Sequence, residues 1–187
     1  MTNKDNGRRT ILVVDDSPDD IAILNEELKT EFRVLAATDP EAATRLLRHE
    51  PPPDLVLLDV MMPGMNGYEF CRALKADPTT RSIPVIFVTV KGAAESEAEG
   101  FGAGGVDYIA KPVNPLLVKA RARTHIELKA AREVLERQNE ILRENVRLRE
   151  EAEAIIMQAR VKMGWITEAD LAPPAEDVSA ETAEAGE

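Results

Sequence analysis

In this chain of 187 residues, a few polar side chains sit where apolar runs stop. Thr10-Ile11-Leu12-Val13-Val14 stops at Asp15-Asp16, and Leu55-Val56-Leu57-Leu58 stops at Asp59. Pro84-Val85-Ile86-Phe87-Val88 stops at Thr89, and the weaker run Val106-Asp107-Tyr108-Ile109-Ala110 stops at Lys111. Three carboxylates gathered in one place repel one another, and each raises the others' cost of ionisation. A hard divalent cation makes such a set tolerable. Mg²⁺ suits it, because it takes a few carboxylates and keeps several waters. An ion of this kind orients and neutralises a phosphoryl group in transfer. A carboxylate is also a competent nucleophile for phosphoryl transfer, forming an aspartyl-phosphate. Thr89 can donate its hydroxyl to one phosphoryl oxygen, and Lys111 can neutralise another as a compact point charge. Each residue taken singly has a plainer account. Asp15-Asp16 ahead of Ser17-Pro18 would cap a helix. Asp59 would be a turn residue, Thr89 strand filler and Lys111 a solvated loop charge. Their placement together at strand ends favours one shared site.

The elements that must position these residues follow from pattern. The apolar runs, with Arg33-Val34-Leu35-Ala36-Ala37 as a fifth candidate, suggest strands of a parallel sheet, and those apolar throughout suggest burial on both faces. Between them lie helical patterns. Pro18 to Leu28 has Ile21, Leu24 and Leu28 on one face, with Pro18 acceptable at a helix start. Pro40 to Leu47 carries Ala43, Leu46 and Leu47, and Gly67 to Ala76 carries Tyr68, Phe70, Cys71 and Leu74. Ala93 to Phe101 is rich in Ala, Glu and Gly with little apolar surface, so the loosest helix of the set is expected there, and the weak Ala/Gly-rich face around Ala93–Gly105 is expected to move easily on phosphorylation. Five strands alternating with helices imply right-handed crossovers and a doubly wound α/β sheet. In such sheets ligands bind beyond the carboxyl ends of the strands.

The segments Ile11-Leu12-Val13-Val14-Asp15-Asp16, Leu57-Leu58-Asp59-Val60-Met61-Met62-Pro63-Gly64-Met65-Asn66-Gly67 and Asp107-Tyr108-Ile109-Ala110-Lys111-Pro112 resemble the receiver domain of two-component response regulators. The resemblance covers about residues 8 to 125. It implies a flavodoxin-like doubly wound five-stranded parallel sheet of order 2-1-3-4-5. It implies that Asp59 is the phospho-acceptor, that Asp16 binds Mg²⁺ directly, and that Asp15 does so through water or shapes the pocket. Met61 would lend the metal a backbone carbonyl, and Thr89 and Lys111 would hold phosphoryl oxygens. Tyr108 would be the aromatic switch that turns inward when Thr89 moves, and the Lys111–Pro112 bond would be cis. The phosphoryl donor would be a sensor histidine kinase or a phosphotransfer protein. Val90 departs from the pattern, standing where a small Ala or Ser is frequent. A bulkier side chain there is expected to restrict access to the acyl phosphate.

Beyond Pro115 no glycine or proline occurs until Gly164, so a single long helix is expected. Leu128, Ala131, Leu135, Gln138, Leu142, Asn145 and Ala152 follow a 3-4 spacing, and Val134, Ile141, Leu148 and Ile155 lie beside them at seven-residue intervals. A heptad seam of this length predicts a coiled-coil homodimer. Gln138 and Asn145 on the seam weaken the coil but fix register and oligomer state. The competing account is a helix folded back on its own receiver. His125, at the junction, is expected to be structural or solvated. The expected division is a receiver at 8–125, a helical extension at 126–163 and an acidic, largely disordered tail at 164–187. In resembling regulators a helix of this kind leads to an output domain that makes or degrades a cyclic dinucleotide. None is legible here, so the chain reads as a non-enzymatic switch or as the regulatory half of a truncated cyclase or phosphodiesterase.

Composition narrows the partners. The net charge is −11, which argues against nucleic acid, since a phosphate backbone requires a basic face. A transcription factor would also need a helix-turn-helix after residue 125, and none is apparent. A haloacid-dehalogenase-like phosphatase carries a second Asp two residues past its nucleophile, where this chain has Met61. The single cysteine, Cys71, cannot form an internal disulfide, which fits a reducing cytoplasm. Met1 to Arg9 has no apolar stretch, so no signal peptide is expected, and no run approaches the ~20 apolar residues of a membrane span.

Overall fold

The computed structural model describes residues 7–90 and 99–166. Five strands, β1 (Thr10–Val14), β2 (Arg33–Ala37), β3 (Leu55–Asp59), β4 (Val85–Val90) and β5 (Asp107–Lys111), form one sheet of order β2-β1-β3-β4-β5. All of its pairings are parallel. Helices α1 (Pro18–Leu28), α2 (Pro40–Leu47) and α3 (Gly67–Ala76) follow β1, β2 and β3, and a long helix, Pro115–Lys162, follows β5. This is the flavodoxin-like arrangement expected. The order steps outward from β1 in both directions, so the switch point lies between β1 and β3, beside Asp15, Asp16 and Asp59.

Strand periodicity builds the two layers. Successive side chains leave a strand on opposite faces. Leu12, Val14, Val56, Leu58, Val85 and Phe87 therefore pack on one side with Ala43 and Leu47 of α2 and Phe70, Cys71 and Leu74 of α3. Ile11, Val13, Leu55, Leu57, Ile86 and Val88 pack on the other side with Leu24 and Leu28 of α1 and with Val118, Ala122 and Ile126 of the long helix. The start of the long helix is thus part of the core. Cys71 is fully buried, and burial pushes its thiol up to about 11.

Each helix starts on a side chain that accepts from its orphan backbone N–H groups. Ser17 Oγ accepts from Asp20 N at 3.3 Å, and Asp39 Oδ1 accepts from Ala42 N at 2.7 Å. Asn66 and Glu69 form a capping box at α3. Asn114 Oδ1 accepts from Leu116 N at 3.0 Å and Leu117 N at 3.2 Å, opening the long helix ahead of Pro115. That helix closes at Gly164, whose φ of +73° is the left-handed conformation glycine adopts without steric cost.

β4 and β5 run further than their apolar runs suggest. The pairs Thr89↔Ala110 and Val90↔Lys111 continue the β4–β5 ladder past the last buried residue of β4. The expected loose helix at Ala93–Phe101 falls mostly outside the described residues, although residues 99–102 are helical. All but the first residues of the expected acidic tail also lie outside them. The chain divides into two compact units between Leu135 and Glu136. Among the described residues, no helix is long and apolar enough to cross a membrane.

Candidate functional site

The carboxyl ends of β1 and β3 bring three acidic residues together. One carboxylate oxygen from each of Asp15, Asp16 and Asp59 lies within 4.8 Å of the others. Asp15 is 1% exposed and Asp59 5%, whereas Asp16 is open to solvent. The buried pair is held from within its own loops. Ser17 N donates to Asp15 Oδ1 at 2.9 Å, and Met61 N donates to Asp59 Oδ1 at 3.3 Å. Gly67, at the start of α3, lets the helix close over this floor, since a Cβ there would lie 2.2 Å from the Asp59 carbonyl oxygen.

Lys111, at the end of β5, reaches back across the sheet. Its Nζ donates to Asp15 Oδ2 at 2.8 Å, to Asp20 Oδ2 at 2.7 Å and to Asp59 Oδ2 at 3.3 Å. Burial disfavours the ammonium, but the hydrogen bonds it donates to Asp15 and Asp20 and the charges of Asp59 and Asp15 outweigh it and hold the lysine's pKa above its ordinary value. Asp59 moves the opposite way from a well-paired acid. Burial raises its pKa, Lys111 and the Met61 amide pull it down, and the Asp15 charge pushes it up again. A single ammonium serves a crowded anionic pocket. Such a pocket of hard oxygen donors fits a small divalent cation bound through Asp15, Asp16 and Asp59.

Thr89 is half-buried at the end of β4, one residue beyond Val88, the register partner of Asp59. No side-chain hydrogen bond joins its hydroxyl to Asp59 or Lys111. Val90 is 65% exposed and pairs with Lys111 in the ladder. Tyr108 packs against the core cluster. Its ring stacks on Phe87 with centroids 5.2 Å apart and meets the edge of Phe101 at 5.3 Å. A Cβ at Gly100 would fall 1.2 Å from the Tyr108 hydroxyl, so the absence of a side chain there makes room for the ring. The Lys111–Pro112 bond is cis, as the resemblance implied.

Two features escaped the sequence reading. Asp20 belongs to the site, but its only sequence signal is its place on the first turn of α1, where an acidic residue ordinarily serves the helix end. The second is a cluster that ties the long helix to β5. Arg121 Nη1 pairs with Asp107 Oδ1 and donates to the Tyr108 carbonyl at 2.7 Å, and His125 Nε2 lies 3.2 Å from Asp107 Oδ2. His125 thus has a structural contact, within the range of roles expected for it.

Comparison with known proteins decides the family. The response regulator receiver domain family matches residues 11–123, covering both acidic strand ends and Lys111. The chain belongs to the response regulator receiver domain family. The receiver is 34% identical to the BeF3-activated DrrB receiver domain of Thermotoga maritima, with a TM-score of 0.59 over 65% of this chain and 99% of that one. It is 41% identical to a probable cyclic di-GMP phosphodiesterase of Vibrio cholerae over 93% of this chain and 39% of that protein. It is 40% identical to the response regulator PleD of Caulobacter vibrioides over 61% of this chain and 25% of that protein. The chain therefore spans well under half the length of these curated relatives. The Vibrio match is too long to be confined to the receiver and takes in the long helix as well.

Proposed function

We propose that Asp59 is the phospho-acceptor of this receiver and that the phosphoryl donor is the phosphohistidine of a sensor histidine kinase or a phosphotransfer protein. The observation that carries the reading is the convergence of Asp15, Asp16, Asp59 and Lys111 at the sheet's switch point. An Asp59 carboxylate oxygen attacks phosphorus in line. The P–N bond breaks with its electron pair going to the imidazole, and an acyl phosphate remains on Asp59. Asp16 and Asp59, with the Met61 backbone carbonyl and Asp15 indirectly, would hold Mg²⁺, which supplies charge neutralisation for the transferring group. Lys111 neutralises one phosphoryl oxygen, and the Thr89 hydroxyl donates to another. Tyr108 then follows Thr89, and the Arg121–Asp107 pair carries that movement of β5 into the long helix.

The division that accompanies this reading is a switch module at 8–125, a helical extension at 126–163 and a tail at 164–187. Leu128, Leu135 and Leu142 are each more than half exposed, as are Val134, Ile141, Leu148 and Ile155. That stripe supports a homodimer along the helix, with Gln138 and Asn145 setting its register. A single buried cysteine suits a cytoplasmic protein. The acidic balance of the chain speaks against a nucleic-acid partner. A second reading is favoured by one observation, the extension of the Vibrio match through the helix. In it, this chain is the regulatory half of an enzyme that makes or degrades a cyclic dinucleotide.

The test is to incubate the chain with Mg²⁺ and acetyl phosphate and follow intact mass and light scattering together. The expected result is uptake of one phosphoryl group by the wild type and none by Asp59→Asn. If neither acetyl phosphate nor a kinase donor modifies the wild type, the reading fails.

A further inference from the structure

We propose that Asp20 is a positioning residue for Lys111, holding the ammonium in the resting site and releasing it when a phosphoryl group arrives on Asp59. The inference rests on the reading of Asp59 as phospho-acceptor. An ammonium has three donors, and here three carboxylates engage Nζ. The shortest contact, 2.7 Å, is to Asp20, and the longest, 3.3 Å, is to Asp59. Phosphorylation replaces the Asp59 carboxylate that Nζ contacts at 3.3 Å, and a lysine that follows a phosphoryl oxygen outward must also loosen Asp15 or Asp20. Asp15 is a poor one to lose, because its carboxylate is 1% exposed and would be left buried and less compensated. The Asp20 carboxylate is 36% exposed, so water can replace the lysine there. Asp20 is also not among the three residues whose oxygens converge, so it is placed to act on the lysine. Its backbone is fixed on the first turn of α1, where its N–H donates to Ser17 Oγ. The resting contact therefore works against phosphorylation, and its loss on phosphorylation frees a carboxylate at the head of α1.

The experiment is titration of the full chain with beryllofluoride in Mg²⁺, followed by calorimetry, for the wild type, Asp20→Asn, Asp20→Glu, Lys111→Met and the Asp20→Asn/Lys111→Met pair. Asp20→Asn is expected to bind roughly 3- to 10-fold more tightly, the range that one hydrogen-bonded, partly exposed ion pair spans. Asp20→Glu, which keeps the charge, is expected to stay near the wild type. The gain from Asp20→Asn is expected to shrink in the Lys111→Met background, as it must for a residue that acts through the lysine. Unchanged affinity in Asp20→Asn, an equal gain in both backgrounds, or a gain in Asp20→Glu matching that of Asn overturns the proposal. No binding by the wild type overturns the reading of Asp59, and this inference with it.

Discussion

Asp59 is held with its pKa above the ordinary carboxylate value, chiefly by burial. The ionised side chain that the proposed phosphoryl transfer requires is therefore one the folded protein disfavours. Below the unfolded value of 3.8, the carboxyl is protonated in both states and contributes no difference. As pH rises through the window from 3.8 to the raised folded value, the unfolded chain loses its proton first, and stability falls. In metal-free buffer Asp59→Asn is therefore expected to be more stable than the wild type at neutral pH, by about 1 kcal/mol. The advantage should fade as pH drops below the window, and thermal melts at a series of pH values would read it. A wild type equal to or more stable than Asp59→Asn at neutral pH would show that Lys111 fully compensates the charge. Most of this pocket was legible in the sequence, because Asp15, Asp16, Asp59 and Lys111 each end an apolar run. Asp20 was not, because its role depends on a lysine 91 positions away, and only the fold brings the two together.

At the level of elements, α3 starts almost on top of β3. A methyl group on residue 67 would meet backbone atoms of Asp59 and Val60, the nearest at 2.2 Å, and backbone cannot swing aside as a long side chain can. Gly67→Ala is expected to cost about 2–4 kcal/mol in denaturant unfolding, and to slow phosphorylation by shifting Asp59. A loss of under about 0.5 kcal/mol would mean that the loop relaxes freely. The bounds of α1 and α2 were readable because a proline start and apolar spacing agree in each, and those of α3 and β2 from apolar spacing alone. The ends of β4 and β5 were not, because Thr89, Val90 and Lys111 are held there by ladder pairing with each other's strands and not by burial. The tie of Arg121 to Asp107 was equally hidden, since it joins a helix face to a strand edge whose packing no local pattern records.

Across the whole molecule, the long helix changes character along its length. Val118, Ala122 and Ile126 are buried in the receiver core, whereas Leu135, Ile141 and Leu142 are 59%, 55% and 60% exposed. Replacing Leu135 and Leu142 with Ala is expected to weaken a homodimer by about a hundredfold or more, measured by sedimentation equilibrium. Asn145→Ile is expected to tighten association while allowing higher oligomers, because a polar seam residue specifies state at a cost in stability. An unchanged mass in both variants would point to a helix that serves another partner. The length of the helix was legible from the missing glycines and prolines. Its division between core and solvent was not, because the heptad pattern and the core-facing pattern share similar spacing.

The burial of Cys71 leaves a practical opening. With the side chain fully enclosed and the thiol pushed up to about 11, only about one molecule in ten thousand carries a thiolate at neutral pH. Alkylating and spin-labelling reagents should pass it by in the folded protein. A reporter cysteine placed at an exposed helix position such as Glu140 can then be labelled selectively in an otherwise native chain, and the distance between two labels in the proposed homodimer compared with and without acetyl phosphate.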